Sequence, residues 1–449
     1  MKNRVLFLLG DCPGFYVPLM YALAEKLVQQ DVEVLMASTT PYYEKYYEVD
    51  FSSLGKVFYL SEYLQEDFSD SQLANTKINY WWAYPTYVRD SYFVGKHRND
   101  WDIYKKTVLF YNQIFAENSV DLIVAEPPSN SFLYIGYGQA KQHSINFLGF
   151  IAARIPRHVN LFTDAYGQHL LENNLAEVGE DSVVSGPPDY MLVEKPALLK
   201  KIGVKRLINM IRFGHLRSVE TGVTPYHQLK AYYLKYIWRK LRYFHSQLSG
   251  VFSHQQLDNN KINILYPLHL RPEASTSVLA KFYENDLEII KNIAFSLPAN
   301  SRLIVKEHFP AVGIRNTKFY RQVSSFPNTT VLRPDYDLTA NLSKFDAVIV
   351  LSSTVGFEAI QQGIPVFLLG RTFYSDYPGV VNVDSYSQLE KCLRELDKAP
   401  QIPNQEVMKL YRRYCFKGQF NYMSQSVMRE ENVEHLLKPV LQNLAAVKR

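Results

Sequence analysis

The stretch DAVIVLSSTVGFEAIQQGIPVFLLG, residues 346–370, contains a whole strand, turn, helix and strand. DAVIVLS (346–352) and PVFLLG (365–370) are short apolar runs bounded by turn residues, and TVGFEAIQQG between them reads as a helix. Strands apolar on both faces suit a parallel sheet covered by helices. Ser352, Ser353 and Thr354 fall where the first strand turns into the helix. Their hydroxyls and the free N–H groups of the first turn can bind a phosphate without cationic side chains. Gly356 keeps that turn uncrowded, and Glu358, one turn further in, is placed to accept hydrogen bonds from a ribose.

The same alternation extends upstream. KINILYPL (261–268) reads as a strand, STSVLAKFYENDLEIIKNIAFSL (275–297) as a helix, and RLIVKEH (302–308) and TTVLRP (329–334) as strands. Near the start, VLFLL (5–9) precedes a helix in which Pro18 suits the first turn and Leu19, Leu23 and Leu27 share a face. VEVLMAS (32–38), DLIVA (121–125) and INFLGFIA (145–152) continue as strands, with a helix near 131–142. Segment 153–250 breaks the pattern. The expectation is an α/β protein with two facing Rossmann-like domains and a cleft between them, ligands lying beyond the carboxyl ends of the strands. The boundaries expected are 1–190 for an acceptor domain, 191–255 for a basic helical insertion, 256–400 for a donor domain and 401–449 for C-terminal helices.

Composition agrees with a globular protein of more than one domain: 449 residues, 47% apolar and 21% charged. Cys12, Cys392 and Cys415 form neither a disulfide framework nor a zinc set, which suits a reducing cytosol. The opening apolar run is too short for a signal-peptide core and reads as a strand. Aromatics are high at 14%, and NYWWAYPTYVRDSYF (79–93) reads as an aromatic insertion packed under a loop. Net charge is only +5, yet basic residues concentrate between Lys195 and Arg242, where Glu220 is the sole acid. Interleaved with Leu198, Leu199, Ile202 and Leu207, they fit an amphipathic segment able to lie on an anionic membrane, and equally a solvated helical face or a basic rim guiding an anionic substrate. Nucleic acid is not an expected partner, because no compact recognition motif is present.

The polar candidates of the second half all fall at strand ends. In YPLHLRPEAST (266–276), His269, Arg271 and Glu273 follow the strand, and Ser275 or Thr276 can cap the next helix. In KEHFP (306–310), Lys306 and His308 alternate with Glu307, so extended backbone would project both to one face. The other reading is a Lys–Glu surface pair. In the first half, Glu126 of AEPPS ends a strand and is a candidate general base. Arg154, Arg157 and Asp164 are weaker candidates. GxGxxG, Walker A and HExxH motifs are absent, and no carboxylate pair implies a metal or a cofactor.

PLHLRPEAST, KEHFPAVGIR, PNTTVLRP and SSTVGFEAIQQGIPVFLLG with Phe373-Tyr374 resemble the bacterial capsule polysaccharide biosynthesis family, which includes Kdo transferases. The likeness is dense over roughly 260–385. It implies a GT-B glycosyltransferase at the cytoplasmic side, taking a CMP-activated sugar acid, most simply CMP-Kdo, to a glycan or glycolipid acceptor. It also implies that His308 and the Ser352-Ser353-Thr354 turn hold CMP, although Phe309 separates His308 from Pro310 where related enzymes have His-Pro. Lys306, Arg271 and Glu358 are the further donor contacts, and Glu126, His269 and Glu273 the catalytic candidates. The alternatives are a UDP-, GDP- or CMP-sialic acid transferase of the same fold, or a non-catalytic capsule assembly protein.

Overall fold

The computed structural model describes residues 2–10, 14–78, 86, 101–165, 167–173, 229–252, 257–258, 260–271, 273–308, 311–396, 404–421 and 424–447. The aromatic insertion at 79–93, apart from Thr86, and the basic stretch up to Gln228 lie outside the described residues. The chain divides into two compact units. One comprises residues 1–229 and 412–449, the other Lys230–Tyr411.

The first unit is built on a seven-stranded sheet. Its strands are β1 (Arg4–Leu9), β2 (Glu33–Ser38), β3 (Gly55–Tyr59), β4 (Leu122–Ala125), β5 (Asn146–Ala152), β6 (His158–Phe162) and a short β13 (Phe416–Lys417). The order is β13-β6-β5-β4-β1-β2-β3, parallel from β5 to β3, with β6 antiparallel to both β5 and β13. The antiparallel β6 is the element that the irregular reading of 153–250 passed over. Its five residues are all buried. Helix Tyr16–Gln29 covers one face with Val17, Met20, Leu23, Ala24 and Leu27. The C-terminal helix Glu430–Val447 joins the same core through Leu436, Val440 and Leu444. The last residues therefore complete the first unit rather than trailing after the second.

The second unit has six parallel strands: β7 (Ile262–Pro267), β8 (Ser301–Lys306), β9 (Thr329–Leu332), β10 (Ala347–Val350), β11 (Val366–Leu368) and β12 (Val380–Asn382). Their order is β12-β11-β10-β7-β8-β9. The sheet grows one way from β7 to β9, then restarts on the other side at β10. That reversal makes the gap between the carboxyl ends of β7 and β10 a topological switch point, where open α/β sheets bind ligands. Both units are thus the doubly wound α/β class expected.

One expected element is corrected. The helix read over 275–297 is two helices, Ala274–Ser277 and Asp286–Phe295. Asn285 breaks it by accepting from the backbone N–H groups of Leu287 (3.1 Å) and Glu288 (3.4 Å), an N-cap geometry that competes with continued helix. The break delivers Asp286 to the loops at the sheet's carboxyl end.

Candidate functional site at the carboxyl ends of β7, β8 and β10

These three strands are neighbours, so the loops that follow them meet. The core of their meeting is a buried ionic network. Arg315 donates from Nη1 to Glu307 Oε1 (2.8 Å), from Nε and Nη2 to Asp286 Oδ2 (3.0 and 2.5 Å), and from Nη2 to the His269 carbonyl (2.8 Å). Arg271 Nε donates to the other oxygen of Asp286 (2.7 Å), and its Nη2 to the Tyr283 carbonyl (2.5 Å). Glu307 is fully buried. Its second oxygen accepts from Tyr320 Oη at 2.5 Å, and Oε1 also accepts from the His308 N–H at 2.8 Å. Burial alone would raise the pKa of Asp286, but Arg315 and Arg271 outweigh it and hold the carboxyl below its ordinary value. Burial opposes the charge on Arg315, yet Glu307 and Asp286 raise its pKa. Burial, then Glu307, raises that of Tyr320, which stays a donor. Each charge is paired and hydrogen-bonded, the condition under which buried ions are tolerated.

This network changes the roles expected of several residues. Arg271 is committed to Asp286 and Tyr283, so it fixes the β7 loop. Lys306 is buried and donates to the Pro334 carbonyl (2.7 Å) and the Glu307 carbonyl (3.0 Å). β8 ends at Lys306, so the extended backbone expected to carry Lys306 and His308 on one face stops short of His308, and Glu307 turns inward to Arg315 and Tyr320. Nor is Glu307 a surface partner of Lys306. Glu273 is exposed and caps the short helix Ala274–Ser277, accepting from Ser275 Oγ at 2.9 Å. Arg315, Asp286 and Tyr320 were not singled out from sequence. The only signal for Arg315 was its place at the end of KEHFPAVGIR.

His269 stands apart. It is 5% exposed, and neither ring nitrogen has a hydrogen-bond partner among the described residues. Burial, then the charge of Arg271, pulls its pKa down to about 3, so at neutral pH the ring offers one N–H donor and one acceptor. Buried polar atoms without partners are rare and call for an explanation. His308 lies at the rim, exposed to solvent. Its pKa is lowered by crowding from surrounding atoms, then by Lys306 and Arg315, an effect that its contact with water moderates.

The third loop supplies the helix start foreseen in SSTVGFEA. Ser352 Oγ donates to the Ser275 carbonyl at 2.5 Å, tying the β10 loop to the β7 loop. Ser353 caps helix Thr354–Gln361, its Oγ accepting from the Val355 N–H at 3.2 Å. Tyr374 Oη donates to the Ser353 carbonyl. Gly356 is required here, because a Cβ would lie 2.5 Å from that hydroxyl. Glu358 is half-buried on the same helix. In the first unit, Glu126 follows β4 and is half-buried. Arg157 has a positive φ of 58° in the β5–β6 turn that also holds Arg154. Asp164 accepts from the backbone N–H groups of His169 (2.7 Å) and Gln168 (3.3 Å), a loop-closing role. Among the described residues, no cluster of three or more His, Cys, Asp or Glu could hold a metal ion.

Residues 206–423, just under half of the chain, match the family model described as capsule polysaccharide biosynthesis protein. No curated protein matches the sequence. Among solved structures, a β-Kdo 2,7-transferase, KpsC of Thermosulfurimonas dismutans, is 13% identical, covering 74% of this chain and 89% of its own, with a TM-score of 0.36. A putative UDP-N-acetylglucosamine 2-epimerase of Listeria monocytogenes is 11% identical over 98% of this chain and 95% of its own, with a TM-score of 0.28. The calicheamicin glycosyltransferase CalG4 is 12% identical over the whole of both chains, with a TM-score of 0.27.

Proposed function

We propose that this chain, whose residues 206–423 carry the capsule polysaccharide biosynthesis pattern, is a glycosyltransferase of bacterial surface polysaccharide assembly. Its donor is a nucleotide-activated sugar acid, CMP-Kdo, and its acceptor a glycan or glycolipid. The observation that carries this reading is His269, a buried imidazole with no hydrogen-bond partner among the described residues, at the switch point of a doubly wound sheet. A ligand oxygen is the natural complement of its N–H.

In this reading His269 and the N-terminus of helix Thr354–Gln361, with the Ser353 and Thr354 hydroxyls, hold the CMP phosphate. His308 contacts it from the rim. Such donors are positioned before reaction, so they stabilise negative charge as CMP leaves without reorganising. The Arg315–Asp286–Glu307 network holds the β7 and β8 loops at fixed spacing, which positions the two histidines. The Glu126 carboxylate is the proposed base toward the acceptor hydroxyl. A glycolipid acceptor would require work at a membrane surface.

Replacing His308 with Ala should cost roughly 2–4 kcal/mol of transition-state stabilisation, the range for removing one donor from developing charge. The assay is transfer from CMP-Kdo by purified protein. Unchanged turnover would remove His308 from the mechanism.

A further inference from the structure

Over the side chains described, Trp238 to Leu248, helix Leu229–Leu248 is amphipathic with its faces reversed. A helix on a soluble domain normally buries its apolar stripe and shows water its polar side. Here the face against the second unit is polar. Arg239 Nη2 donates to the Val312 carbonyl and Arg242 Nη1 to the Ile314 carbonyl, both at 3.3 Å. His245 Nδ1 and Ser246 Oγ lie 2.7 and 3.0 Å from Thr317 Oγ1. Gly313, at φ +78°, allows this approach, since a Cβ there would meet the Arg239 carbonyl oxygen at 2.1 Å.

The outward face carries Trp238, Leu241, Phe244 and Leu248, exposed by 58%, 55%, 64% and 73%. Intervals of three, three and four residues place them on one stripe. The helix holds five Lys or Arg (Lys230, Lys235, Arg239, Lys240, Arg242) and no Asp or Glu. No helix among the described residues, this one included, is long and apolar enough to cross a membrane. An exposed aromatic and aliphatic stripe on a helix that has basic residues and no acidic ones is the pattern of a helix lying in a lipid interface. Charge selects the occupant. A second copy of this helix would bring like charges face to face with no acid to answer them, whereas an anionic bilayer complements them.

We propose that helix Leu229–Leu248 rests in the interface of a bilayer containing anionic phospholipid. Trp238, Leu241, Phe244 and Leu248 enter the upper acyl region, and the Lys240 ammonium beside them meets the headgroups. This extends the membrane part of the reading above, but it rests on the helix surface and not on the donor site.

The test is flotation of the full chain with vesicles of phosphatidylcholine alone or mixed with phosphatidylglycerol. Binding is expected to the mixed vesicles, weakening as salt rises. Lys240→Gln should bind about fivefold more weakly, the effect of one basic charge near an anionic surface. Combined Trp238→Ser, Leu241→Ser, Phe244→Ser and Leu248→Ser should abolish flotation while leaving the melting temperature and CMP titration unchanged. Failure of the unaltered chain to float, or flotation of the fourfold variant like the parent, would overturn the proposal. So would a variant that floats normally but sediments as a monomer where the parent is a dimer, since the stripe would then belong to a second copy. Flotation by a protein that ignores CMP would support the helix assignment and sink the donor reading alone.

Discussion

His269 carries a measurable signature because its folded and unfolded states bind protons differently. In the folded chain its pKa is about 3; unfolded, it returns to the ordinary value near 6.5. Below that value the unfolded chain takes up a proton that the folded chain does not. Stability is therefore fully present above about pH 6.5 and is lost as pH falls toward 3, by at most about 1.4 kcal/mol per pH unit. The loss of Asp286 charge adds to this only below its ordinary carboxylate range, so the two are separated by pH. His308, its pKa lowered to about 4, contributes in the same direction, so His269→Gln should reduce but not abolish the pH dependence of urea unfolding between pH 6 and 4. An unchanged slope would mean that the imidazole is not buried as described. Arg315 makes a second residue-scale prediction: Arg315→Met leaves the buried Glu307 without a cation and Asp286 with Arg271 alone, and should cost about 3–5 kcal/mol in the same measurement. Sequence made His269 legible, because it follows a strand in PLHLRP. Glu307 was visible but given no role beyond an alternative surface pair with Lys306, since nothing local distinguishes a carboxylate facing solvent from one facing a buried guanidinium.

At the scale of elements, strands were easier to read than the ends of helices. The apolar runs around β7, β8 and β10 are short, buried and bounded by polar residues, and the structure places strands there within a few residues. The 275–297 segment shows why helix boundaries are harder. Its period continues across Asn285, but the cap depends on a side chain reaching its own backbone, and the benefit of the break is a long-range pair with Arg271 and Arg315. Strands β3 and β12, half-buried at sheet edges, lack the clear alternation that would have marked them. The turn before helix Thr354–Gln361 offers a direct check. Gly356→Ala places a methyl against Tyr374 and should destabilise by roughly 1–3 kcal/mol, as overpacking does. It should also weaken nucleotide binding by displacing the Ser353 carbonyl. Calorimetric melting with and without CMP reads both effects, and a variant as stable as the parent would contradict the close approach.

For the whole molecule, the alternation of strands and helices made two Rossmann-like units legible before any coordinates. What sequence could not show was that the chain returns to its first unit. Residues 412–449 look like appended helices because their apolar positions carry no label for the surface they cover. Leu436 and Val440 are fully buried in the core that contains Val5 and Leu23. Leu436→Ala should therefore cost about 2–5 kcal/mol, read as a lower melting temperature of the first unit with CMP binding retained by the second. Coincident loss of both would contradict that division. Charge asymmetry was equally visible in sequence, but only the structure showed which side of helix Leu229–Leu248 faces outward.

The central claim is that the carboxyl ends of β7, β8 and β10 hold a cytidine nucleotide through His269. Isothermal titration of CMP, UDP and GDP into the purified chain and into His269→Gln tests it most directly. CMP is expected to bind at least about tenfold more tightly than UDP or GDP, a difference of about 1.4 kcal/mol. His269→Gln should weaken CMP binding by about 1–3 kcal/mol, the cost of a mismatched buried hydrogen bond. UDP or GDP binding as tightly as CMP, or equal CMP affinity in the parent and the variant, would contradict it.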